Sequence, residues 1–82
     1  MQAMSSKASE LFRRNIQTVL HENGLSHASL AEMVGTSRPG ITRIISGVDG
    51  VTIERADRIA NALGFTLSEL LEEKLRIPVK NP

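Results

Sequence analysis

The stretch LSHASLAEMVGTSRPGITRIISG, residues 25–47, decides how this chain folds. It reads as two short helices joined by a tight turn at Gly35, because glycine is free to take the positive φ that reverses a chain within three or four residues. Ser26 is placed to cap the first of these helices, with Leu30, Ala31 and Val34 inward. Ser37 is the natural cap of the second. Pro39 falls in its first turn, where its missing amide would be unpaired in any case. Arg38 precedes that proline and is biased away from the α region, so the start is open to a shift of one residue. Helical spacing then sets Ile41, Ile44 and Ile45 on one side and Arg38 and Arg43 on the other, and Gly47 closes the helix. A helix buried by its isoleucines that exposes two arginines five residues apart suits insertion into a DNA major groove.

The flanks continue in the helical period, and no stretch alternates with a period of two. Ala8, Phe12, Ile16, Val19 and Leu20 line one face of a first helix that ends near Asn23-Gly24. After a turn at Val48-Asp49-Gly50, Thr52 caps a fourth helix with Ile53, Ala56, Ile59, Ala60 and Leu63 inward, stopped at Gly64. Thr66 with Glu69 three residues later makes a capping box for a fifth helix, whose apolar side is Leu67, Leu70, Leu71 and Leu75. Pro78 ends it. Residues 1–6 read as a polar, disordered start and residues 77–82 as an extended or disordered tail. There is no internal repeat, linker or low-complexity segment. The expected fold is a single all-α domain over residues 1–82, a compact five-helix bundle with a helix-turn-helix formed by helices two and three.

Composition bounds the function. Eighty-two residues suffice for one core without staples, and the absence of cysteine removes disulfides and thiolate zinc sites and fits a reducing cytoplasm. No apolar run approaches the roughly 20 residues of a membrane span. With only Phe12 and Phe65 as aromatics, base-stacking platforms for single strands lack their usual parts. The net charge of +1 is weak evidence for a nucleic-acid partner, but it is unevenly spread. Residues 1–47 carry five basic and three acidic side chains, net +2, and residues 48–82 carry five basic and six acidic, net −1. His21 and His27 have no partner cysteines, and the serines lie in caps and turns, so neither a metal site, a cofactor site nor a catalytic constellation is expected.

The order of helices, with Gly24-Leu25-Ser26 before the second, then Leu30-Ala31, Gly35, Ser37, Ile41, the Gly47 stop, and Ile59-Ala60-Asn61-Ala62-Leu63-Gly64 leading into Leu67-Ser68-Glu69-Leu70-Leu71, resembles the phage lambda repressor and Cro (XRE-like) helix-turn-helix family over roughly residues 12–71. The resemblance implies a lambda-repressor-like, non-enzymatic regulator that binds double-stranded operator DNA as a homodimer, a repressor or autoregulator. It places base reading on Arg38, Pro39, Thr42 and Arg43. Arg38 and Arg43 would each grip guanine O6 and N7, about 1–3 kcal/mol of discrimination apiece. Pro39 and the Thr42 methyl would pack on thymine methyls. It places phosphate contacts at His27, Ser37, Ser46 and Thr52, aided by amides at helix N-termini.

Some positions depart from the family pattern. Where members often pair an arginine late in helix one with a glutamate late in helix three, this chain has Leu20 and Ile45, an apolar exchange that can be neutral or stabilising. Asp49 is unfavourable near phosphates unless it turns inward to shape its turn. Gly40 loosens the start of helix three and lets the backbone approach the groove. The competing reading of Arg38, Arg43, Arg13 and Arg14 is ordinary solvated charge, and Arg13 and Arg14 are also candidates for added phosphate contacts. Surplus apolar surface at Leu71, Leu75, Ile77 and Val79 is a candidate dimer face. A different class of function, an antitoxin-like or other protein-interaction module that holds a partner through helix five and the C-terminal tail, is the alternative.

Overall fold

The computed structural model describes residues 6–77. Its elements are α1 (Lys7–Asn23), α2 (His27–Val34), α3 (Arg38–Ser46) and α4 (Ile53–Ala62), followed by a single 3-10 turn, Glu69–Leu71; no strand occurs among the described residues.

Each α-helix starts at a hydroxyl. Ser6, Ser26, Ser37 and Thr52 are extended, and their side-chain oxygens accept from the amides of Ser9, Ser29, Gly40 and Arg55 at 3.0–3.1 Å. Such caps contribute about 1 kcal/mol apiece by satisfying an amide that has no intrahelical partner. Ser6, read from sequence as part of a disordered start, is therefore the cap of α1. The α2–α3 reversal rests on Gly35, whose φ of 74° is left-handed. Its amide and that of Thr36 satisfy the carbonyls of Glu32 and Ala31.

The core is built as the helical period predicts. Phe12, Ile16, Val19 and Leu20 of α1 meet Leu30, Ala31 and Val34 of α2, Ile41, Ile44 and Ile45 of α3, and Ala56, Ile59 and Ala60 of α4. α2 packs most extensively on α3, while α1 packs on α3 and the 3-10 turn and α2 on α4. Leu20 and Ile45 both lie in this core, so the positions where the family often carries an ion pair are apolar and buried here.

Three expectations are corrected. The fifth helix is not an α-helix. Its capping box forms, Thr66 N–H to Glu69 Oε1 at 2.8 Å and Glu69 N–H to Thr66 Oγ1 at 3.1 Å, yet only Glu69–Leu71 are helical and Glu72 is already extended. The carbonyls that would continue the helix are taken by α1: Asn15 Nδ2 donates to the oxygens of Leu70 and Glu72 at 2.9 Å each, and Arg14 Nη2 donates to that of Glu73. Ile53 is not inward but 78 % exposed, because it stands in the first turn of α4 at the edge of the arc defined by Ala56, Ile59 and Ala60. Ala8 is likewise exposed. With Phe12, Val51, Ile53, Leu67 and Leu71 it lines a shallow apolar groove. Asn15, 1 % exposed, occupies the buried face of α1, a polar core residue the periodicity did not reveal. Pro78, Val79 and the rest of the expected tail lie outside the described residues.

Candidate nucleic-acid interface

α3 presents one side to the core and the other to solvent. At about 100° per residue, Arg38, Pro39, Thr42, Arg43 and Ser46 share an arc of roughly 140° opposite Ile41, Ile44 and Ile45. All five are exposed and the three isoleucines are buried. The boundaries expected for this helix, and the side expected to be buried, are those observed.

The residues on the arc differ in how they are held. Arg38 opens the helix and has no side-chain partner among the described residues. Pro39 occupies the first turn. A Cβ on Gly40 would meet the hydroxyls of Ser37 at 3.2 Å and Thr36 at 3.3 Å, so this glycine leaves room for the cap beside it. Thr42 Oγ1 is 2.8 Å from His27 Nδ1, a bond that ties the first residue of α2 to the middle of α3. Arg43 is gripped by Asp49 through two bonds, Nε to Oδ2 at 2.9 Å and Nη2 to Oδ1 at 3.0 Å. That hydrogen-bonded partner holds the Asp49 carboxyl below its ordinary pKa and raises Arg43 above its own. Asp49 thus turns back onto α3, in a pair that stays exposed to solvent.

The hydroxyls expected near phosphates all have local roles. Ser37 and Thr52 cap α3 and α4, and Ser46 Oγ donates to the Arg43 carbonyl at 3.2 Å. A cap hydroxyl used in this way still lies beside the amides of a helix N-terminus, where an anion is favoured.

Two basic residues come to this surface from elsewhere. Arg55, in the first turn of α4, donates from Nη1 to Thr36 Oγ1 at 3.3 Å and so stands at the α2–α3 turn. The sequence reading passed over it, since the two residues are 19 apart and only the fold joins them. Arg13 of α1 lies beside the C-terminus of α3, its guanidinium 3.4 Å from where a Cβ on Gly47 would sit. Arg14 goes the other way, to Asn15 Oδ1 and the Glu73 carbonyl. The two neighbours, considered together from sequence, are thereby separated.

Leu71 and Leu75 are half-buried against the core and Ile77 is half-buried, while Val79 lies outside the described residues. No group of three or more metal-ligating side chains gathers among the described residues, and no helix there is long and apolar enough to cross a membrane.

A family model described as helix-turn-helix matches residues 16–70, more than half of the chain and the whole of α2, α3 and α4. No curated protein and no solved structure matches it.

Proposed function

The chain belongs to the helix-turn-helix family of lambda repressor and Cro type, DNA-binding transcription regulators, and from that premise we propose that it is a sequence-specific regulator that reads the major groove of operator DNA with α3. The observation that carries this reading is the α3 arc: two exposed guanidinium groups, Arg38 and Arg43, flank Pro39 and Thr42 on a helix whose opposite side is locked into the core. Arginine is the side chain best matched to guanine O6 and N7, and the Thr42 methyl and Pro39 ring suit a thymine methyl. Around the arc, His27, Ser37, Ser46 and Thr52 supply phosphate contacts, with Arg55 and Arg13 adding positive charge at its two ends. The protein acts as a homodimer, a repressor or autoregulator, with Leu71, Leu75, Ile77 and Val79 contributing to the contact between copies.

Selection of binding sites from a random duplex pool tests this. The expected product is a palindrome whose half-sites lie about 34 Å apart, one helical turn. Arg43→Ala is expected to lower affinity for the selected duplex far more than for random duplex, and equal losses on both would refute base reading by α3. Affinity should fall steeply with salt, since each neutralised phosphate releases counterions.

A further inference from the structure

The loop after α3 returns a carboxylate to the helix's own groove-side arginine. The backbone does the placing: Gly47 takes a left-handed φ of 86°, and the amides of Val48 and Asp49 donate to the Arg43 carbonyl at 3.0 and 3.1 Å. The Asp49 side chain then accepts from Nε and Nη2 of that same residue. A guanidinium has five N–H donors in a rigid planar fork. Asp49 occupies the Nε–H edge and one hydrogen of Nη2, which leaves Nη1 and the outer hydrogen of Nη2. Those remaining donors form the end of the fork, the parallel pair that matches guanine O6 and N7.

We propose that Asp49 is a positioning residue for sequence readout: it holds the Arg43 guanidinium in one plane with its end presented to a guanine, and opposes its drift to a phosphate. The inference rests on the reading of α3 as the groove-reading helix. Exposed ion pairs add little to folding stability, so the effect of this one belongs in base discrimination.

The test compares the unaltered chain with Arg43→Ala and Asp49→Asn on three sets of duplexes: the selected site, the site with each base pair exchanged in turn, and random sequence. A bidentate arginine–guanine contact carries roughly 5- to 150-fold discrimination. Asp49→Asn, which keeps the shape and removes the charge, is expected to lose most of that factor at the G·C pair that Arg43→Ala identifies. It should also bind random duplex more tightly and melt at an unchanged temperature. A purely structural role would instead lower the melting temperature and leave discrimination intact. If Asp49→Asn keeps full discrimination at a pair where Arg43→Ala loses it, the positioning role is overturned and the groove reading stands. If Arg43→Ala discriminates as the unaltered chain does, or no duplex is selected, the reading of α3 fails and takes the proposal with it. Should Asp49→Asn not fold, Asp49→Ser gives the same comparison.

Discussion

Asn15, buried on α1, donates both hydrogens of its amide across the core, one to the carbonyl oxygen of Leu70 and one to that of Glu72, each at 2.9 Å. These two bonds, together with the burial of Leu70 in the core, join the segment after α4 to the body of the fold. Asn15→Leu fits the apolar face but leaves the Leu70 oxygen without its donor, at about 1–3 kcal/mol for an unsatisfied buried group. Urea unfolding should show that loss, and an unchanged midpoint would mean that the segment docks through its leucines alone.

Gly47→Ala should destabilise the chain by about 1–2 kcal/mol, the strain of a left-handed alanine. Its new Cβ would meet the Arg13 guanidinium at 3.4 Å, an ordinary van der Waals contact, so the cost is that of the backbone. Gly50→Ala is the control. Nothing lies within 4 Å of its Cβ, and it should stay within about 0.5 kcal/mol in the same denaturation assay.

Arg38 has no side-chain partner among the described residues, so Arg38→Ala should leave folding within about 0.5 kcal/mol. On the selected duplex it should cost affinity, and Arg38→Lys separates the two reasons. Lysine keeps the charge and loses the fork. Recovery of binding by Arg38→Lys identifies a phosphate contact, and continued loss identifies a guanine.

Thr42 joins a hydroxyl bonded to His27 and a methyl on the exposed arc. Thr42→Ser keeps the bond and deletes the methyl; Thr42→Val does the reverse. If the methyl meets thymine, the serine variant should lose about 0.8 kcal/mol of preference for that base and the valine variant should retain it. Binding to duplexes carrying uracil in place of thymine checks the same contact from the DNA side.

Acid should loosen two exposed ion pairs. The Lys7–Glu73 pair at 2.6 Å holds the Glu73 carboxyl below its ordinary pKa, as Arg43 holds that of Asp49. Because each binds its proton less readily folded than unfolded, its contribution is present above the ordinary carboxylate range and is lost as pH falls through the lowered folded values. The combined variant Asp49→Asn, Glu73→Gln should therefore show a shallower fall of the unfolding midpoint below about pH 4 than the unaltered chain. A steeper fall would contradict the direction. Lys7, raised by the same partner, has the opposite sign: its contribution is present below the ordinary lysine value and is lost as pH rises through the folded one.

Where the rules are local, the sequence was legible. Ser26, Ser37 and Thr52 cap the helices they precede, Gly35 and Gly47 reverse the chain after the residues they follow, and the isoleucines of α3 are buried while its arginines are not. A cap, a left-handed glycine and a helical face each depend on a few neighbouring residues, so spacing suffices to find them. Asp49 was visible as a carboxylate just beyond a helix stop, although its partner was not.

The rest was decided between elements far apart in sequence. The capping box of Thr66 and Glu69 is a correct local signal, but the carbonyls needed to extend it are bound by Asn15 and Arg14, 55 to 59 residues away. A short segment with few helical hydrogen bonds to gain yields to such competition. Arg55 reaches the α2–α3 turn, and Arg13 the end of α3, only because the helices pack as they do. Periodicity along the chain thus determined which face of α3 is exposed, while tertiary hydrogen bonding decided which charges surround that face and where the last helix stops.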